Sequence, residues 1–327
     1  MNALVTGATG FLGSHLAAAL HEGGARVRAL VRLSSDLRRL AGLPVEMVRG
    51  ALEDPATLVA AVRDQELVVH AAAKVPDWGT YDEYMRANLE GTRHLIAACQ
   101  QAGVARLVYV SSLTVLGLPR AGAAVDEATP YAKAARDPYT VSKIAAEKLV
   151  RAAHGQHGLS TVIVRPGAIW GPGESTITPR ITALLRRRRM PYVSGGHNRL
   201  ALSHVRNLSE GILLAAAAPS AAGQIFHLTD GDEITARTAL GNLAAALDVP
   251  PPRWSVPFAL VYAAATLAEG AARLARAPTP PALTRYGTRL VASDARYSIA
   301  KAEQELGYCP RIHFRDGIRE VVRGLDP

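Results

Sequence analysis

The stretch that most constrains this chain comes at its start. Residues 3–14 read ALVTGATGFLGS, a short apolar strand, then Gly7-x-x-Gly10-x-x-Gly13, then the first residues of a helical pattern. Glycines at this spacing allow a tight turn, close approach of the backbone to a diphosphate, and close packing of helix on strand. The helix N-terminus then offers unpaired N–H groups and the positive end of its dipole to an anion. The spacing differs from the usual G-x-G-x-x-G. Its position, between the first strand and the first helix of an alternating series, carries the expectation of a bound dinucleotide.

That series continues along the chain. Strand-like runs at Ala3–Thr6, Arg26–Arg32, Val45–Arg49, Leu67–Ala71, Leu107–Ser111 and Thr161–Arg165 alternate with helical patterns at Leu12–Leu20, Pro55–Val62, Tyr81–Gln101 and Tyr139–Ala153. Such alternation implies right-handed crossovers and a parallel sheet covered on both faces. The expected fold class is α/β, a Rossmann doubly wound parallel sheet with a smaller C-terminal α/β substrate-binding part. We place a nucleotide-binding domain at 1–166 and a mainly substrate-binding part at 167–327. A segment around 200–232, containing the strand-like Gln224–Leu228, returns to the sheet.

Composition narrows the function classes. The 327 residues include 49% hydrophobic and 20% charged residues, a globular balance with enough chain for a core that needs no staple. Two cysteines, Cys99 and Cys309, in no C-x-x-C spacing, exclude a disulfide scaffold or zinc ribbon and suit a reducing compartment. A cytoplasmic location is therefore expected, and no metal site. The net charge is +9, which would suit a nucleic-acid binder, but aromatics are only 5% and do not interleave with the arginines. Nucleic acid is not an expected partner; a field that steers an anionic ligand is the better reading. The cluster Arg186–Arg189 reads as a solvated helix end, or a collector for an anionic substrate. The N-terminus lacks the charged region and cleavage site of a signal peptide, and the most apolar run, 256–268, is too short to span a bilayer. The apolar stretch Val256–Ala275 reads as a lid helix, a dimer contact or a weak membrane-surface contact. A homodimer is the expected assembly.

Which dinucleotide binds is decided at the end of the second strand, where a carboxylate would hold the adenosine ribose. The sequence there is Ala29-Leu30-Val31-Arg32, followed by Ser34 and Ser35. An arginine suits a 2′-phosphate, so NADP(H) is favoured and NAD(H) is the alternative. The candidate chemistry lies further on. Val108-Tyr109-Val110-Ser111-Ser112 is a strand ending in hydroxyls, and Tyr139 and Lys143 stand at i and i+4 on one helix face. A phenol is a poor base near neutrality because its reference pKa is about 10. A neighbouring ammonium, helped by an oxidised nicotinamide, is expected to lower it. The alternative is a tyrosine packed beneath a snorkelling lysine.

TGATGFLG, HAAA, Asn88, VYVSS, the Tyr139-to-Lys143 spacing and RPGAIWGPG together resemble the extended short-chain dehydrogenase/reductase superfamily, over nearly the whole chain. The resemblance implies that Tyr139 is the acid/base, Lys143 its partner and a ligand of the nicotinamide ribose, and Ser112 the group that orients the substrate oxygen. It implies that Gly7, Gly10 and Gly13 hold the diphosphate, with Thr9, Phe11 and Leu12 in the turn. Arg32, Leu52, Ala71, Ala72, Ala73, Ser111, Pro166 and Ile169 are the further expected cofactor contacts. Asn88 is expected to be structural, on the proton-relay side. The family often carries an aspartate after the third strand; here Ala51 stands there, leaving adenine to backbone and Leu52.

Within the superfamily, sugar-nucleotide enzymes share an asparagine where this chain has Ala168, and the dehydratases an Asp-Glu pair where it has Leu113 and Thr114. The motif His70–Gly79, the run Gly171-Pro-Gly173 and the tail 297–310 are similar instead to 3β-hydroxysteroid dehydrogenases and to 3-oxoalkanoate and dihydroflavonol reductases. That branch implies hydride exchange between a ketone and a secondary alcohol on an apolar small-molecule substrate of medium to large size, steroid-like, β-keto-acyl or polyketide-like. Lys74, Trp78, Leu113, Thr114, Ala168 and Trp170 are the expected substrate contacts; Leu113, Val115, Leu116, Ala168, Trp170 and Met190 form an apolar wall, or belong to the core. A sugar-nucleotide epimerase and a non-catalytic NADP(H) sensor are the rival readings.

Overall fold

The computed structural model describes residues 1–75, 78–117, 124–135, 137–294 and 296–325; Pro76 and Asp77 of the His70–Gly79 motif lie outside them. Seven parallel strands make the central sheet: β1 (Asn2–Thr6), β2 (Arg26–Val31), β3 (Glu46–Arg49), β4 (Leu67–His70), β5 (Arg106–Val110), β6 (Ser160–Pro166) and β7 (Ile225–Leu228). Their spatial order is β7-β6-β5-β4-β1-β2-β3. The order therefore reverses between β1 and β4, which pair with Val5 opposite Val69 and Thr6 opposite His70. A crevice beyond the carboxyl ends of those two strands follows from that reversal.

Why the strands read as continuous apolar runs is visible in the packing. Ala3, Val5, Val27, Ala29, Val69, Val108 and Val164 face one layer, against Leu12, Leu16 and Leu20 of α1 (Phe11–Glu22). The intervening Leu4, Leu30, Val68, Leu107, Tyr109 and Ile163 face the other, with Leu58 of α2 (Pro55–Val62). That second layer also holds α3 and α4 (Pro138–Ala153). Helix α3 runs through Tyr81–Tyr84, a π-helical turn at Met85–Glu90, and Gly91–Ala102. Each buried leucine or valine contributes about 1.5–3 kcal/mol, so the period-two alternation fixes both helix layers.

Caps set where the helices begin. Asp54 accepts from Ala56 N before Pro55 at the head of α2, and Asp137 accepts from Thr140 N before Pro138 at the head of α4. The second cap places Tyr139 in the first turn of α4, next to the carboxyl end of the sheet.

Beyond β6 come α5 (Thr178–Arg186), α6 (Val205–Ala217), α7 (Ala236–Ala246), α8 (Phe258–Leu274), α9 (Arg285–Ala292), α10 (Ala300–Leu306) and α11 (Phe314–Arg323). Helix α6 rejoins the α1 layer through Leu208 and Ile212. Trp170, Leu185, Leu243, Phe314, Ile318 and Val321 form a separate C-terminal core. Helix α8 buries Ala265 and Glu269 but leaves Leu260, Leu267 and Leu274 exposed. Arg187, Arg188 and Arg189 after α5 are exposed. Among the described residues no helix is long and apolar enough to cross a membrane.

Candidate active site

The loop after β1 is shaped so that side chains are excluded. Gly7 has φ +73°, and a Cβ there would lie 2.7 Å from Ala72 N, so the loop presses on the chain leaving β4. A Cβ on Gly13 would lie 2.1 Å from the Gly7 carbonyl oxygen. Gly10 N donates to Gly7 O at 2.9 Å, and the first bond of α1 runs from Ser14 N to Gly10 O at 3.0 Å. Gly10, the N-cap, supplies no side-chain partner, so N–H groups of the first turn are left for a ligand. A diphosphate fits such a cradle. Thr9 and Phe11 are half-buried beside it, whereas Leu12 is turned into the core.

The walls of the crevice are pinned by a chain of polar contacts. Ala71 N donates to Thr6 O and Ala72 N to Thr6 Oγ1, both at 3.3 Å. Thr92 Oγ1 donates to Asn88 O at 2.6 Å, so it accepts from His70 Nε2 at 3.0 Å. His70 Nδ1 is then the acceptor from Thr6 Oγ1 at 2.7 Å. Burial, then the nearby Lys143 ammonium, push His70 down to about 3, so it stays neutral and its tautomer is fixed. Asn88, in the π turn of α3, ties Lys74 N (2.7 Å) and Lys74 O (3.0 Å) to Ser142 Oγ (2.9 Å).

Arg32 is exposed just beyond β2, where its N–H donates to Ser35 Oγ at 3.0 Å. The nearest following carboxylate, Asp36, is held by Arg38 and pulled down to about 2. Leu52 packs on α3, where a Cβ at Gly91 would lie 2.8 Å from its own Cβ, and its carbonyl accepts from His94 Nδ1 at 2.9 Å. Arg39, which no local pattern singled out, lies 5.9 Å over the Phe11 ring and donates to Gly173 O at 2.7 Å.

Tyr139, Lys143 and Glu147 stand one above another on the buried face of α4. Tyr139 stands beside Ser112, whose hydroxyl favours the phenolate and which caps the 3-10 turn Leu113–Leu116. Thr114 Oγ1 donates to Ser112 Oγ at 3.0 Å. Lys143 Nζ donates to Val110 O at 2.6 Å and lies 4.4 Å over the Tyr109 ring. Glu147 is fully buried; it pairs with Arg165 at 2.5 Å, accepts from Tyr131 Oη at 3.0 Å, and accepts from Ser111 Oγ. Its spacing of four from Lys143 was the available signal for it.

The electrostatics differ from the simple expectation. Burial pushes the Tyr139 phenol up to about 12, against the lowering effect of the nearby Ser112 hydroxyl. Burial also drives Lys143 down to about 7, opposed by the Glu147 carboxylate. In the protein alone, desolvation therefore governs both groups, and the Lys143 amine donates to the Val110 carbonyl.

Two expected substrate contacts pack into apolar clusters. Trp170 is 6% exposed, donates to Asp230 Oδ2 at 2.7 Å and stacks within the C-terminal core against Phe314 and His204. Leu113 is likewise buried, with Val115, Leu116 and Val125. An apolar side chain reads alike in a wall and in an interior. Lys74 forms an ion pair with Glu83 at 3.5 Å, and Trp78 Nε1 donates to Ala277 O at 2.8 Å under Arg273. Ala168 and Ile169 are half-buried on a short strand paired with Leu202–His204, directly after the buried Pro166.

Aromatic rings close the remaining space. Tyr84 and Tyr286 meet the Tyr139 ring edge-on at 6.4 and 6.0 Å. Tyr286 comes from α9, and its distance along the chain left no sequence signal.

Known proteins agree with this architecture. The model of the NAD dependent epimerase/dehydratase family matches residues 3–228. A 2-alkyl-3-oxoalkanoate reductase of Stenotrophomonas maltophilia is 34% identical, covering 98% of each chain. A 4-hydroxy-2-methyl-3-oxo-4-farnesyl-3,4-dihydroquinoline-1-oxide ketoreductase of Stigmatella aurantiaca is 35% identical, covering 100% of this chain and 97% of its own. The crystal structure of gox2253 superposes with a TM-score of 0.83 at 33% identity, covering 99% of this chain and 97% of that one. With the glycine cradle and the reversal between β1 and β4 already in view, these matches establish that the chain belongs to the NAD dependent epimerase/dehydratase family, the extended short-chain dehydrogenases/reductases.

Proposed function

We propose that this protein is an NADP(H)-linked ketoreductase or dehydrogenase that interconverts a ketone and a secondary alcohol on a medium-to-large apolar substrate. The observation that carries the reading is Tyr139 and the buried Lys143 on one face of α4, beside Ser112 at the end of β5, at the sheet edge that also carries the glycine cradle. A bound nicotinamide supplies or accepts the hydride. Tyr139 gives the proton to the nascent alkoxide oxygen or takes it from the alcohol, and Ser112 holds that oxygen in line. The edge-on rings of Tyr84 and Tyr286 keep bulk water away from the phenol.

Residues 1–166 hold the cofactor and 167–327 mainly the substrate in this reading. Arg32, with no free carboxylate at the end of β2, supports NADP(H) over NAD(H). The names of the two full-length relatives, both ketone reductases, support an apolar oxo substrate. The rival sugar-nucleotide epimerase is disfavoured by Ala168 where a diphosphate-holding asparagine is needed. The test is a screen of NADPH and NADH consumption against 2-alkyl-3-oxoacyl, steroid, flavonoid and aromatic polyketide ketones. Turnover of at least one, faster with NADPH, is expected. Tight cofactor retention with no net redox turnover, and interconversion of sugar nucleotides, would overturn it.

A further inference from the structure

A carboxylate lies beneath the candidate active site with no solvent around it. Glu147 of α4 is 0% exposed, one helical turn beyond Lys143. Its Oε1 accepts from Arg165 Nη2 at 2.5 Å and from Tyr131 Oη at 3.0 Å, and its Oε2 accepts from Ser111 Oγ. Arg165 Nε lies 3.1 and 3.3 Å from the two oxygens, and Arg165 Nη1 donates to His227 Nε2 at 3.5 Å. One side chain thus joins α4 to Tyr131 ahead of the helix, to the ends of β5 and β6 and, through Arg165, to β7. Burying such an ion pair costs about as much as it returns, and apolar side chains of equal volume hold a core as well or better. Stability alone therefore does not account for a carboxylate here. What a saturated carboxylate adds is a fixed set of acceptor directions.

Those directions matter most at Ser111. Leu107 and Tyr109 of β5 face the α4 layer, and Ser111 continues their row at the period of two. It is 4% exposed, and its N–H donates to Val164 O at 2.8 Å. The residues on either side of it serve the reacting groups. Val110 O accepts from Lys143 Nζ at 2.6 Å, and Ser112 follows directly in the chain. The Ser111 side chain, expected from the sequence to touch the cofactor, points its hydroxyl proton at Glu147 instead.

We propose that Glu147 is a positioning residue of the active site, a buried clamp that holds Ser111 and thereby sets the Val110 carbonyl that receives Lys143 and the neighbouring Ser112. A displacement of about 1 Å in groups of this kind costs up to about 10²-fold in rate. The inference rests on the hydride-transfer reading above, which is what makes Lys143 and Ser112 catalytic.

The test compares Ser111→Ala with Tyr131→Phe in the full chain, with NADPH and a 2-alkyl-3-oxoacyl ester. Each removes one hydroxyl from the same carboxylate, so both should lower Tm alike, but only Ser111→Ala releases the chain at 110–112. It should lower kcat about five- to tenfold, the rate equivalent of one net hydrogen bond, with the NADPH dissociation constant unchanged. Tyr131→Phe should keep the wild-type kcat. In a Glu147→Gln background, Ser111→Ala should lower kcat further by less than about twofold, because the charged acceptor is already gone. Where Glu147→Gln does not fold, the two hydroxyl variants decide. Hydrogen exchange of the Ser111 amide, corrected for its intrinsic rate, should quicken about fivefold or more in Ser111→Ala and stay at the wild-type rate in Tyr131→Phe. A Ser111→Ala enzyme with wild-type kcat, a raised NADPH dissociation constant in its place, or equal losses of kcat in the two variants would overturn the inference while leaving hydride transfer intact. A wild type that reduces no ketone would instead refute the functional reading, and the exchange comparison still decides the clamp.

Discussion

Lys143→Met is the most informative change to stability. The Lys143 amine falls from 10.5 to about 7 on folding, because burial outweighs the nearby Glu147. That difference corresponds to about 5 kcal/mol between its two protonation states. Between about pH 7 and 10.5 the unfolded chain binds this proton and the fold does not, so native stability rises with pH across that window. The cost of burying the group is about 5 kcal/mol at about pH 6 and falls to about 2 kcal/mol at about pH 9. Methionine keeps the length and carries no proton, but leaves the Val110 carbonyl without its 2.6 Å donor, a loss of about 1–3 kcal/mol. At about pH 6 the variant should therefore be more stable than wild type by about 2–4 kcal/mol, while being inactive. The gap should shrink by about 3 kcal/mol on going to about pH 9. Urea unfolding of cofactor-free wild type and variant across that range measures it, and taking the difference cancels the other titrating groups. A gap that stays constant with pH, or a variant less stable at the acid end, would refute the reasoning.

Gly13→Ala places a Cβ 2.1 Å from the Gly7 carbonyl oxygen, so the thermal stabilisation by NADPH should disappear; a normal ligand-induced shift in Tm would contradict the cradle. Arg32→Asp should raise the NADH-to-NADPH ratio of kcat/KM by about tenfold or more, the loss of a charge-assisted contact. An unchanged ratio would mean that Arg32 does not meet the 2′-phosphate.

What could be read from the sequence was local. The strand, glycine loop and α1 lie within a few residues of one another, and Tyr139 and Lys143 share one helical face, so spacing alone specified them. Glu147 continues that face and was readable by the same periodicity, but a buried carboxylate paired with Arg165 of β6 depends on a strand contact that spacing does not encode. Trp170 and Leu113 pack into apolar clusters, and apolarity in the sequence does not distinguish a pocket wall from a core. Tyr286 reaches Tyr139 only once α8 and α9 are docked, and nothing near it in the chain signals that contact. The upward displacement of the Tyr139 phenol to about 12 is likewise a consequence of packing, since burial exists only in the fold.

In the function proposed above, the Tyr139 hydroxyl carries the proton during hydride exchange. Its most direct test is pre-steady-state NADPH oxidation by Tyr139→Phe, with cofactor affinity followed in parallel by nucleotide fluorescence. Near-normal affinity is expected, with hydride transfer slowed by about 10²–10⁴-fold, the range for loss of a positioned acid. A phenylalanine variant that transfers hydride at the wild-type rate would contradict it.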